Sequence, residues 1–197
     1  MQQIEPYYNW RHIYVSEEDE RSPFYGRICL RFATQPSFAE FEFSQTVYNY
    51  YIHPQWDEFG SRTLYLKVLL ADYDEQYAII ELIGEWNDAI ENDIMSLKRK
   101  VLEKFMEQKI YKFILIGENV LNFHSDTRDY YEELHEELID ENGWIVCLNM
   151  PEQTQYDFRQ AKLNRYLELM ELENWRTYKP FHLFKKINNE LSARLTE

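Results

Sequence analysis

The sequence predicts an α/β protein: a small mixed sheet with a parallel βαβα core, an antiparallel β-rich N-terminal extension and C-terminal helices. Three observations carry that expectation. After Gly84 the apolar spacing changes from two, the period of a strand, to 3.6, the period of a helix. Residues 111–116 and Trp144–Leu148 are short continuous apolar runs, the composition of strands covered on both faces. Each run follows a helical pattern after a short connection, which is how right-handed crossovers build a parallel sheet.

Taken in order, residues 10–15 read as a short strand, 16–21 as a solvated charged loop and 27–32 as a half-buried strand with alternating polarity. Phe41, Phe43, Gln45 and Val47, followed by residues 48–52, suggest an aromatic-rich strand or a bent strand pair. A turn is expected at 57–61. Residues 63–71 and 77–83 are strands, and the short polar stretch 72–76 makes them antiparallel neighbours. Asn87 or Asp88 caps a helix whose inward stripe is Ile90, Ile94, Leu97, Val101, Leu102 and Phe105. A loop is expected at 117–124, followed by a helix capped by Ser125 or Asp126, with Tyr130, Tyr131, Leu134 and Leu138 inward and Gly143 as its stop. Phe158, Leu163, Tyr166, Leu167 and Met170 favour a third helix; Phe181, Phe184, Ile187, Leu191 and Leu195 favour a fourth. The chain divides into residues 1–75, an aromatic-rich β extension packed on the core, and residues 76–197, the α/β domain with its C-terminal helices.

Composition narrows the function classes. The 197 residues suit one sizeable domain with an attached subdomain, and 45% apolar and 17% aromatic content is ample for a close-packed core. Twenty-one Lys and Arg against 35 Asp and Glu give a formal charge of -14, which repels phosphate backbones and anionic lipid, so nucleic acid is a disfavoured partner. The basic triplet Lys98, Arg99 and Lys100 reads as a solvated helix face. Residues 1–6 do not resemble a secretion signal, and no apolar run has the roughly 20 residues that span a bilayer. Cys29 and Cys147 sit in strand-like runs and suit buried free thiols in a reducing compartment, so a cytoplasmic location is expected.

Within the second half, Ala78-Ile79-Ile80-Glu81-Leu82-Ile83-Gly84-Glu85-Trp86-Asn87 resembles the opening strand of the STAS family, which ends in Gly-Glu-Leu-Asp. That is the fold of anti-sigma-factor antagonists and of the cytosolic parts of sulfate transporters. Phe113-Ile114-Leu115-Ile116, followed by Val120-Leu121-Asn122-Phe123-His124-Ser125, is similar to its second core strand and the loop to its switch serine. Gly143-Trp144-Ile145-Val146-Cys147-Leu148 resembles the next strand, and the likeness spans residues 77–172, about half the chain. It implies a protein-binding module without catalysis. The family's switch motif is Asp-Ser-Ser-Gly; here His124-Ser125-Asp126-Thr127 stands in its place, so only Ser125 matches and the switch is degenerate.

Ligands of parallel sheets bind outside the carboxyl ends of the strands. The 117–126 segment is the richest in functional groups there, with Glu118, Asn119, Asn122, His124, Ser125 and Asp126. Glu118, Asn122, His124, Ser125 and Asp126 are the candidate binding residues. A carboxylate–imidazole set of Glu118, His124 and Asp126 would suit a divalent ion, with His124 as ligand or general base and Asp126 as its partner. The bland alternative is that Ser125 and Asp126 cap a helix while Glu118 and His124 face water. The one Glu-x-x-His, Glu132 to His135, lacks the second copy a di-iron bundle requires. No glycine-rich phosphate loop and no Gly-x-Ser-x-Gly elbow occurs. Tyr48, Tyr50, Tyr51, His53 and Trp56 form either sheet packing or a recognition surface.

The reading favoured on these grounds is a non-enzymatic regulatory or protein-interaction module that binds a protein partner or itself and requires no cofactor or metal. The alternative is a small-molecule or metal-dependent enzyme using the 117–126 loop.

Overall fold

The computed structural model describes residues 4–27, 46–47 and 50–194. The strands expected at 27–32 and around Phe41 and Phe43, and the environments of Cys29 and Leu195, lie outside these residues. Among the described residues there are two sheets. β1 (Thr46–Val47) and β2 (Tyr50–Tyr51) form a short antiparallel pair, and a five-stranded sheet has the order β3-β4-β5-β6-β7.

β3 (Leu64–Asp72) and β4 (Tyr77–Asn87) are the expected antiparallel hairpin. From β4 onward every neighbour is parallel: β5 (Lys112–His124), β6 (Trp144–Leu148) and β7 (Glu168–Met170). Strand order follows chain order throughout. Right-handed crossovers that always step in the same direction place every crossover helix on one face. Those helices are α1 (Asp88–Glu91), α2 (Asp93–Leu97), a π-helical turn (Lys98–Leu102), α3 (Glu103–Met106), α4 (Asp129–Asp140) and α5 (Glu152–Gln160). Ile94, Leu97, Val101, Phe105, Tyr131, Leu134, Leu138 and Phe158 from them share a core with Ala78, Ile80, Leu82, Phe113 and Leu115 of the sheet.

Among the described residues, three separate pieces cover the opposite face. α6 (Pro180–Arg194) lays Leu183, Phe184 and Ile187 over Tyr77, Ile79, Ile114 and Val146. The N-terminal arm brings Trp10 onto the same cluster beside Trp175. Val47, Ile52 and Trp56 cover Tyr65 and Ile83. The arm continues to Phe24, which packs in the helix-side core, while Glu17 bonds Lys67 of β3 and Asp57 bridges to Leu66. The outer edge of β3 is thus covered, as an otherwise unpaired strand edge needs to be.

Several expectations are corrected. Residues 10–13 form turns instead of a strand, and Ser16, expected in a solvated loop, is buried against Ser22. Residues 117–124 are not a loop but the continuation of β5, paired with β4 out to Asn87↔His124. The third helix ends at Gln160; Lys162 adopts a left-handed backbone, which breaks the helix, and Glu168–Met170 becomes an edge strand. Phe181, expected inward, is exposed.

The basic triplet divides unevenly. Lys98 is 0% exposed, and its Nζ meets Glu103 at 2.8 Å, Glu137 at 2.9 Å and Glu133 at 3.2 Å, tying the π-turn to α4. Burial alone would push this ammonium's pKa down, but the glutamates more than offset it and the pKa is raised. Removing one partner of a buried ion pair costs about 3–5 kcal/mol. Lys98→Ala is therefore expected to lower the urea midpoint by an amount of that order; a change below about 1 kcal/mol would show that the glutamates turn to water without penalty.

Candidate functional site

β5 outruns its neighbour. Its pairing with β6 ends at Ile116↔Leu148, whereas its pairing with β4 continues for another eight residues. Across that overhang the Thr154 hydroxyl of α5 donates to the Val120 carbonyl at 2.9 Å. The register shifts between Gly84↔Val120 and Glu85↔Asn122, leaving Leu121 as the extra residue of a bulge, and bulged residues turn away from the regular pleat. Leu121 is accordingly 44% exposed while Val120 and Phe123 are buried on either side.

At the end of β4, Asn87 caps α1 by accepting the Ile90 N–H at 3.1 Å. The helix then breaks at Asn92, whose φ of 52° is left-handed, and restarts at Asp93. Ile90 was expected on the inward stripe. The break shifts the phase of the stripe, so Ile94 and Leu97 point inward while Ile90 is 75% exposed. Beneath this break lie two buried carboxylates. Asp88 accepts from Trp86 Nε1 at 3.1 Å, Ile94 N at 2.9 Å and the Tyr131 hydroxyl. Asp93 accepts the Asn87 N–H at 2.7 Å, and its Oδ1 has no partner among the described residues. Burial is the main cause that pushes each carboxyl up to about 6, against the hydrogen bonds that favour the charged form.

The candidate residues are distributed, not convergent. His124 Nε2 lies 2.7 Å from Glu85 Oε1 at the rim, with the imidazole half exposed. Asn122 sits opposite Glu85 in the ladder. Ser125 and Asp126 are exposed, and neither caps a helix, because α4 begins only at Asp129 behind Arg128. Glu118 is elsewhere. It accepts from Trp175 Nε1 at 2.7 Å and Asn149 Nδ2 at 3.2 Å and pairs with Arg176 at 2.5 Å, all on the α6 side of the sheet. Six residues of strand rise separate Glu118 from His124 by about 20 Å. The carboxylate–imidazole set of Glu118, His124 and Asp126 is therefore not assembled, and no group of three ligating side chains that could hold a metal occurs among the described residues. Strand order adds a topological reason. Crevices at carboxyl ends open where the order reverses, and among the described residues this sheet has no reversal.

A second polar centre escaped the sequence reading. Glu81 of β4 is 1% exposed, accepts the Tyr7 N–H at 2.7 Å and faces Arg176 at 3.9 Å. Burial, aided by Glu118 and opposed by the Tyr7 N–H and Arg176, pushes its carboxyl up to about 7. A charged residue inside the apolar run 78–83 was the signal available.

No family profile and no curated relative matches the chain by sequence. In three dimensions it is similar to the unphosphorylated anti-sigma factor antagonist SpoIIAA, with TM-score 0.47, 13% identity, and coverage of 63% of this chain and 96% of that one. It is also similar to phosphorylated SpoIIAA, a Bacillus cell fate determinant, with TM-score 0.39, 14% identity, and coverage of 55% and 92%. The NMR structure of TM1081 gives TM-score 0.39, 12% identity, and coverage of 65% and 89%. No helix among the described residues is long and apolar enough to cross a membrane.

Proposed function

We propose that the chain is a non-enzymatic regulatory module that binds a protein partner at the end of the sheet where β5 overhangs. The observation that carries this reading is the exposure of Ile90 and Leu121, at 75% and 44%, on the two elements that form that end. Each is held out by a specific backbone feature: the left-handed Asn92 for Ile90 and the bulge for Leu121. Glu85, Glu91, Asp126 and Asp129 stand on the same end and outnumber its arginines, Arg62 paired with Glu91 and the exposed Arg128, in a chain of charge -14. An apolar centre with an acidic rim fits a partner presenting apolar side chains ringed by Lys or Arg. Ser125, exposed beside this face, would add a phosphate's charge if modified and weaken a contact already acidic on this side.

The test is capture of a stoichiometric partner by the wild-type chain and by Ile90→Asp/Leu121→Asp. Both side chains are exposed, so the melting temperature should stay within about 0.5 kcal/mol equivalent of wild type. Affinity should fall at least about tenfold, and the remaining binding should weaken with salt. A partner held equally well by the double variant, or recovery of none from several lysates, would remove the proposal.

A further inference from the structure

The first part of the N-terminal arm is held by contacts to the sheet and to the pieces packed on it. Trp56 Nε1 donates to the Ile4 carbonyl at 2.9 Å, Tyr7 N donates to Glu81 Oε2 at 2.7 Å, and Trp10 lies edge-on to Trp175 with ring centroids 5.7 Å apart. The Tyr7 hydroxyl also donates to the Arg176 carbonyl at 2.6 Å. The Tyr7–Glu81 fastening buries a carboxyl beneath the arm; beside the Ile4 fastening, Glu5 of the arm lies 3.7 Å from the buried His53 ring. Glu81 lies between Tyr77 and Ile79, which α6 covers, and Ile83, which Val47, Ile52 and Trp56 cover. The stretch of β4 between those two apolar covers is closed by the arm and by Arg176.

We propose that the arm is a proton-gated latch, in which the buried carboxyl of Glu81 receives the Tyr7 N–H and its charge state sets how tightly residues 4–15 stay docked on the sheet. The charged groups around it are few. Glu118 of β5 repels the ionised form. Arg176 attracts it from 3.9 Å but sits closer to Glu118, at 2.5 Å. Lys67, directly across in β3, has its ammonium engaged by Glu17 and Asp57. No cation is therefore committed to Glu81 alone among the described residues.

The direction follows from burial. With the arm docked, Glu81 holds its proton up to about pH 7; with the arm released, water reaches the carboxyl and it ionises near its ordinary value of 4.5. Docking is thus coupled to proton uptake. It is tight below the released value and weakens as pH rises through about 7, with a predicted loss of about tenfold in the docking constant between pH 6 and pH 8.

Amide hydrogen exchange of residues 4–15 in the full chain, corrected for the intrinsic effect of pH on exchange, reads this directly. Protection should fall about tenfold from pH 6 to pH 8 in the wild type and stay constant in Glu81→Gln, with β5 peptides as the control for an intact core. As a measurement that needs no variant, carbon-13 NMR of labelled glutamate should find one carboxyl titrating near 7 in the wild type. Trp10→Ala, which loosens the arm, should move that midpoint towards 4.5. Protection that does not change between pH 6 and 8, an equal fall in Glu81→Gln, or no glutamate titrating above the ordinary range would each overturn the latch.

Discussion

Gly84→Ala is expected to cost more than about 3 kcal/mol and to leave little folded protein at physiological temperature. Gly84 has a φ of +119°, a backbone region that side chains rarely enter, and a Cβ built there would lie 2.1 Å from the Thr63 carbonyl oxygen. The obstacle is backbone, held by the Glu85 N–H donating to that same oxygen at 2.9 Å, so no side-chain rotation relieves it. The residue also marks the register shift that lets β4 carry Trp86 into the core while β5 bulges at Leu121. Gly26→Ala provides the comparison. Its φ is also positive, +71°, but nothing lies within 4 Å of the added Cβ, so it should cost only about 1–2 kcal/mol, the price of the left-handed backbone. Urea denaturation of both variants checks the argument. Equal losses would mean that Thr63 moves aside and that the close approach is not what fixes Gly84.

The hairpin, the first two of the three crossovers and the buried strands β5 and β6 were legible because each rests on local periodicity, and Ala78, Ile80, Leu82 and then Ile94, Leu97, Val101, Phe105 fall on the faces those periods assign. What was not legible arises where two periods meet. Residues 117–124 carry Gly117, Asn119 and Asn122, a loop composition, yet the extended backbone of β4 beside them gives Asn119, Val120, Asn122, Phe123 and His124 ladder partners. Ile90 satisfies the helical stripe as far as sequence can tell, and only the left-handed Asn92 puts it on the outside. The β7 strand is three residues long, too short for alternation to be read, and takes its conformation from β6.

The candidate residues fared by the same logic. Proximity in sequence placed Glu118 with His124, but along a strand nearness in number is distance in space, and the two end up at different parts of the fold. The groups that do converge, Glu81 with Glu118, Tyr7 and Arg176, are separated by up to 169 residues, as the Tyr7–Arg176 contact shows. Sequence could flag only Glu81, as a charge in an apolar strand.

Those buried acids also set how the whole protein should respond to pH. Folding lifts Glu81 from 4.5 to about 7 and Asp88 and Asp93 from 3.8 to about 6; burial also raises Asp57. A carboxyl raised by folding binds its proton more tightly in the native state, so between the unfolded and folded values the native state carries more protons and stability falls as pH rises. The window runs from about 4 to about 7. One pKa unit corresponds to about 1.4 kcal/mol, so the chain should be more stable at pH 5 than at pH 8 by several kcal/mol, an upper figure because Asp88 and Asp93 are neighbours and titrate together. Self-repulsion of the -14 charge acts in the same direction, but it is a long-range surface effect that salt screens, whereas desolvation of a buried carboxyl is not. Urea midpoints at pH 5, 6.5 and 8, repeated in 0.5 M sodium chloride, therefore separate the two. Most of the pH dependence should survive in salt, and it should shrink in Glu81→Gln and in Asp88→Asn, whose amide can still accept from Trp86 Nε1 and Ile94 N. Stability that is flat across the range, or a slope that salt abolishes, would mean that water reaches these carboxyls and that their burial costs the fold nothing.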